Sequence, residues 1–211
     1  MIDKKLSGIY GILPADIDTE ELLLSAEAAL KGGLRILQFR DKKTGSRRAL
    51  KRAEALRELT SRYDARLIIN DLVNLAVDAD ADGVHLGRDD AANLIQLRNQ
   101  VGDDLIVGVT CRADAAFATS ALKDGADYVS FGAVWSSDTK PEVPPLGLPR
   151  LAKARQMLPD ATLCAIGGIT AENVVQVKAA GADCAAVISG LFAVDDIQAQ
   201  AALLTALWEQ A

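Results

Sequence analysis

Three stretches place chemistry-bearing side chains at regular spacing. The segment LQFRDK carries Gln38, Arg40 and Lys42 at every second position, and alternate residues of a strand share one face. Two cations side by side are costly to bury unless an anion lies against them. The alternative is a strand that stops at Phe39 and leaves Arg40 and Lys42 in solvent. The segment RLIIND closes an apolar run on Asn70 and Asp71, and GVHLGRDD closes the next one on Asp89 and Asp90. If those runs are neighbouring strands, Asp71 meets Asp89 or Asp90 at one rim. Two carboxylates with positions left for phosphate oxygens suit Mg²⁺. Helix capping explains each carboxylate separately, but not cations on one strand followed by carboxylates on the next two.

Two later stretches are rich in small residues. CAIGGITAEN sets Gly167 and Gly168 at a strand end and Thr170 at the N-cap position of a helix, and VISGLF sets Ser189 and Gly190 at the following strand end. Small residues let backbone N–H groups approach a phosphate, and a helix N-terminus favours the anion. His85 is the only histidine, which excludes a His-rich zinc site, and its place within an apolar run reads as structural. Any chemistry falls to carboxylates, cations, amides and backbone dipoles.

The elements that must position these groups alternate. Apolar runs near 8–13, 34–40, 66–70, 83–87, 105–110, 128–134, 162–167 and 184–189 read as strands buried on both faces. Helical spacing fills 18–32, 45–63, 71–79, 89–100, 113–124, 147–158, 170–180 and 195–209. The phrases KGGLRI, KDGADYV and AAGADCAAV, with the looser DADADGV, each set a glycine or an equivalent turn at a helix end before a strand. Eight such units predict one α/β domain spanning 1–211, a closed (β/α)8 TIM barrel, with an open doubly wound sheet as the alternative. On that count, the small-residue turns follow strands seven and eight, where barrels commonly hold phosphate. The one long connection, WSSDTKPEVPPLG at 135–147, follows a strand end, where barrels keep functional loops.

Composition agrees with a globular chain: 211 residues, 50% hydrophobic and 25% charged, with a net charge of −6 that argues against nucleic acid as a partner. Cys111, Cys164 and Cys184 form no CxxC pair, which suggests reduced thiols and a cytoplasmic protein. The first residues lack the apolar core of a signal peptide, and no apolar run spans a bilayer, so no membrane association is expected. Self-association is left open.

The order and spacing of Gln38-Phe39-Arg40-Asp41-Lys42, Asn70-Asp71, GVHLGRDD ending in Asp90, Thr139-Lys140, AIGGI and VIS resemble the thiamine phosphate synthase family over nearly the whole chain. The resemblance implies a transferase of thiamine biosynthesis. It would join a pyrimidine methyl diphosphate to hydroxyethylthiazole phosphate, or its carboxylated form, releasing diphosphate. By this resemblance Gln38, Arg40, Lys42, Asn70, Thr110 and Lys140 hold the pyrimidine diphosphate, with Arg40, Lys42 and Lys140 assisting its departure. Asp71 and Asp90 bind Mg²⁺, and Ser137, Thr139, Gly168, Ile188 and Ser189 hold the thiazole phosphate beside Gly167. The chain departs from the family at Arg112, where a histidine is frequent, and at Ser136-Ser137-Asp138, where a proline and a threonine are usual. The competing readings are a metal-independent thiazole tautomerase, another phosphate-binding barrel isomerase, and a non-catalytic precursor sensor.

Overall fold

The computed structural model describes residues 4–41, 45–136 and 145–211. Eight parallel strands pair in chain order and the last returns to the first, closing a barrel. They are β1 (Gly8–Ile12), β2 (Ile36–Phe39), β3 (Arg66–Asn70), β4 (Gly83–Leu86), β5 (Ile106–Arg112), β6 (Tyr128–Gly132), β7 (Thr162–Ile166) and β8 (Cys184–Val187). The helices are α1 (Thr19–Lys31), α2 (Ser46–Arg62), α3 (Val73–Asp78), α4 (Leu94–Val101), α5 (Ala115–Lys123), α6 (Leu148–Met157), α7 (Val174–Ala179), the short α8 (Ser189–Phe192) and α9 (Ile197–Gln210). A 3₁₀ turn, Asp90–Asn93, leads into α4.

Period-two alternation divides the core in two. Outward strand residues such as Leu37, Leu67, Val84, Val107, Val129 and Leu163 pack under the helices, against faces such as Leu22, Ala26 and Leu30 of α1 and Ala53 and Leu56 of α2. Each fully buried leucine there contributes about 1.5–3 kcal/mol. Inward residues, among them Tyr10, Ile36, Ile68, Ile106, Tyr128, Cys164 and Cys184, fill the barrel itself. Room for Tyr128 comes from Gly108 opposite it on β5, where a Cβ would lie 2.0 Å from the Tyr128 Cζ.

The recurring phrase before strands has a physical basis at the N-terminal rim. Asp82, just before β4, accepts from the Leu67 N–H at 2.8 Å and from Arg57 of α2 at 2.8 Å. Asp127, before β6, accepts from the Val107 N–H at 2.8 Å and from Arg98 of α4 at 2.6 Å. Asp183, before β8, accepts from the Leu163 N–H at 2.9 Å and from Arg155 of α6. One carboxylate thus ties a strand, its helix and the next strand together. In KGGLRI that position is Arg35, which turns back on the Leu34 carbonyl at 2.8 Å instead.

Candidate active site

At the C-terminal rim, β2 and β3 deliver the first predicted residues. Gln38 is buried and faces inward, aligned with Ile68. The ladder stops at Phe39, so Arg40 stands half-buried one residue beyond the strand rather than on its regular face. Lys42 lies outside the described residues. Asp41, between them, is held by Arg52 of α2 at 2.7 Å, which ties the rim segment to its own helix.

Asn70 and Asp71 do not cap α3. Its N-cap is Leu72, with no side-chain capping bond. The chain instead turns sharply: the Leu72 N–H donates to the Asn70 carbonyl at 2.7 Å, and Asp71 takes φ of +60°, a left-handed conformation that aspartate tolerates better than most residues. The Asn70 amide donates to Asp71 Oδ2 at 2.7 Å, and the Gly87 N–H donates to Asp71 Oδ1 at 3.1 Å. Asp90 opens the 3₁₀ turn after β4, and its Oδ2 converges on the same spot. A Cβ on Gly87 would meet Asp90 Oδ2 at 2.8 Å and Asp71 Oδ1 at 3.8 Å. Two carboxylate oxygens therefore flank one small space, kept open by a glycine and bordered by an amide that orients one of them. This donor set is all-oxygen and fits a hard divalent cation completed by water and phosphate oxygens. Among the described residues no three His, Cys, Asp or Glu side chains gather as a metal cage.

On the opposite side of the mouth, Gly167 and Gly168 both adopt positive φ, +102° and +64°. A Cβ at Gly168 would lie 2.7 Å from the Ser136 carbonyl oxygen, so the turn packs directly against the segment after β6. Asn173 braces it, donating to the Gly168 carbonyl and accepting from the Thr170 N–H, both at 2.9 Å. Asn173 stands at the N-cap position of α7 proper but makes no side-chain capping bond there, whereas the Thr170 hydroxyl accepts from the Glu172 N–H at 3.3 Å. Thr170 opens the preceding turn, its carbonyl accepting from the Asn173 and Val174 N–H groups. Ile188 lies between β8 and α8, and Ser189, exposed, starts α8. Ser137, Thr139 and Lys140 lie outside the described residues. The ends of their loop are joined, the Leu146 and Gly147 N–H groups donating to the Ala133 and Val134 carbonyls.

The barrel floor beneath the mouth is polar along one path. Gln38 Nε2 donates to the Tyr10 hydroxyl at 2.8 Å, and Tyr10 and Tyr128 share a bond of 3.0 Å. Tyr128 meets His85 Nδ1 at 2.9 Å, and His85 Nε2 meets the Thr110 hydroxyl at 2.9 Å. Burial pushes both phenols far above their usual range, so each keeps its proton. The expectation that His85 is structural leaves out this placement: it sits between Gln38 and Thr110, both site residues by resemblance. The signal was its inward parity with Asn70, which pairs with it in register. Arg112 closes β5 beyond an irregular pairing with β6, with φ of +54° and an exposed side chain.

A closed eight-stranded barrel with two carboxylates converging on one side of its mouth and small-residue turns after β7 and β8 on the other defines the class of (β/α)8 barrel proteins that keep their functional groups at the C-terminal rim. Within it, residues 9–191 match the model for thiamine monophosphate synthase. The chain is 46% identical over 208 residues to the thiamine-phosphate synthase of Thioalkalivibrio sulfidiphilus, covering 98% of this chain and 97% of that one. It is 44% identical over 197 residues to the thiamine-phosphate synthase of Methylobacillus flagellatus, covering 93% and 92%. The solved thiamine phosphate pyrophosphorylase of Pyrococcus furiosus superposes with a TM-score of 0.87 at 30% identity over 98% of both chains. The chain belongs to the thiamine monophosphate synthase family, and no helix among its described residues is long and apolar enough to cross a membrane.

Proposed function

We propose that this chain is a transferase that joins a hydroxymethylpyrimidine diphosphate to hydroxyethylthiazole phosphate, or its carboxylated form, giving thiamine phosphate and diphosphate. The observation that carries the site assignment is the convergence of Asp71 Oδ1 and Asp90 Oδ2 on the space kept by Gly87. Asp71 and Asp90 would hold Mg²⁺ there, and the bound ion would neutralise charge on the departing diphosphate. Arg40, Lys42 and Lys140 supply further positive charge to the same leaving group. Asn70 orients Asp71 and hydrogen-bonds the substrate, while Gln38 and Thr110 help hold the pyrimidine diphosphate. Gly167, Gly168, Ile188 and Ser189, with Ser137 and Thr139, take the thiazole phosphate through backbone and hydroxyl donors.

The attacking thiazole nitrogen carries a lone pair and no proton, so the reaction requires no general base. The barrier is charge separation, a cationic pyrimidine methylene against a departing anion. Preorganised cations lower it, and removing one such group costs about 10²–10³ in rate. The test is to supply both precursors with Mg²⁺ and detect thiamine phosphate and diphosphate. Asp71→Asn and Asp90→Asn should each lose most turnover with the fold intact. Full wild-type activity in EDTA, or near-normal turnover in either variant, would overturn the metal site. A wild type that forms no thiamine phosphate from the two precursors would overturn the reaction itself.

A further inference from the structure

The path Gln38–Tyr10–Tyr128–His85–Thr110 has a polarity that hydrogen counting resolves. Gln38 presents its NH₂ to the Tyr10 oxygen. The single hydrogen of Tyr10 then goes to the Tyr128 oxygen, and that of Tyr128 to His85 Nδ1. With Nδ1 an acceptor, the hydrogen of the neutral ring sits on Nε2 and is donated to Thr110 Oγ1. The reverse polarity runs from Thr110 to His85 to Tyr128 to Tyr10. It leaves the Tyr10 hydrogen facing a donor NH₂ in a side chain 1% exposed, and a buried donor without an acceptor is disfavoured.

We propose that His85 is a positioning residue for the transfer reaction. Fixed by Tyr10 and Tyr128 as its Nε2–H tautomer, it occupies an acceptor lone pair of Thr110 and leaves the Thr110 hydroxyl hydrogen for an acceptor atom of the pyrimidine diphosphate. This rests on the placement of Thr110 in the pyrimidine site above. The alternative polarity would spend the Thr110 hydrogen on the ring and turn a lone pair towards a substrate whose phosphates are acceptors only. The tilted stacking of His85 on Tyr128, with ring centroids 5.4 Å apart, restrains the imidazole against rotation, and Tyr128 has its seat only because residue 108 is glycine.

Because His85 is the only histidine, ¹⁵N-imidazole NMR of the intact protein at neutral pH reports one ring. The expected spectrum shows an unprotonated Nδ1 and a protonated Nε2, with that preference weakened in Tyr128→Phe. An Nδ1–H ring in the wild type overturns the relay, whatever the protein catalyses. In turnover, Thr110→Val and His85→Phe should each lower kcat/KM roughly 10- to 100-fold, the size of one hydrogen bond to a charged group. His85→Gln, which can still donate to Thr110, should lose less. In the Thr110→Val background, His85→Phe should add nothing further. Additive losses in that double variant would assign His85 a role independent of Thr110 and overturn the proposal. Absence of thiamine phosphate formation by the wild type would instead remove the substrate from Thr110 and leave the tautomer result standing.

Discussion

Arg52 and Asp41 form an ion pair of 2.7 Å in which both side chains are all but sealed from solvent, at 2% and 1% exposure. The same guanidinium donates to the Ile17 carbonyl at 2.9 Å and lies 5.5 Å from the centroid of Phe39. One side chain of α2 therefore fastens the connection after β1 to the segment after β2. Asp41 directly follows Arg40, so this pair anchors the segment that carries that proposed diphosphate cation.

Removing Arg52 takes the guanidinium of this buried ion pair away from Asp41. Arg52→Met should destabilise the protein by about 3–5 kcal/mol, read as a lowered urea midpoint with an unchanged slope. It should also raise KM for the pyrimidine diphosphate. A midpoint within experimental error of wild type would show that Asp41 finds another partner at no cost.

Asn70→Ala separates a site role from a capping role. Asn70 makes no capping bond to α3 and instead donates to Asp71. Affinity for the pyrimidine diphosphate should fall clearly while melting temperature changes little. A loss of stability of roughly 0.5–2 kcal/mol with unchanged affinity is the signature of a cap, and would return Asn70 to a structural part.

Gly108→Ala should be severely destabilising although it adds one methyl group. The new Cβ would overlap the Tyr128 ring, and overpacking of this kind typically costs about 1–3 kcal/mol or more. Thermal melting measures it, and the variant should also lose catalytic activity beyond its loss of folded protein, since Tyr128 must shift away from His85. A stable, fully active Gly108→Ala would contradict the rigid seat of Tyr128.

The thiols should be silent in the folded state. Cys111, Cys164 and Cys184 are all buried and unpaired. Burial pushes the Cys111 thiol up to about 12, and the bond with Cys164, followed by burial, raises that of Cys184. At pH 8 the thiolates of Cys111 and Cys184 are scarce, and all three sulfurs are buried, so an aromatic disulfide reagent should release no chromophore from native protein and three equivalents after denaturation. Rapid labelling of the native protein would show that the barrel opens readily.

Much of this architecture was legible before any coordinates. Strands and helices fall within a few residues of their expected places because hydrophobic period and glycine punctuation act locally, and eight such units imply closure. The pairing of Asp71 with Asp90 was legible as adjacency between consecutive strands, though not the choice of Asp90 over Asp89, which depends on the 3₁₀ turn. The convergence of Tyr10 with Tyr128 was not legible. These residues are 118 positions apart, and nothing local to GIYG or DYVS announces a partner across the barrel. Thr170 was expected to cap the helix after β7, and its hydroxyl does accept from the Glu172 N–H at 3.3 Å, but a turn with helix-like bonds separates it from α7 proper, whose first position falls at Val174.

The carboxylate ties at the N-terminal rim bear on how such a barrel is assembled. Asp82, Asp127 and Asp183 reach back only 25, 29 and 28 residues to Arg57, Arg98 and Arg155. Parallel strands are slow to pair because loop-closure entropy must be met before the contacts reward it. Here each latch runs only from the start of one strand back to the helix before the preceding strand, so the loop it closes is short. Among the strand pairings, the one between β8 and β1 joins the two ends of the chain, and α9 packs beside it on α1 and β1. The latches are thus short in sequence, while closing the barrel joins residues from opposite ends of the chain.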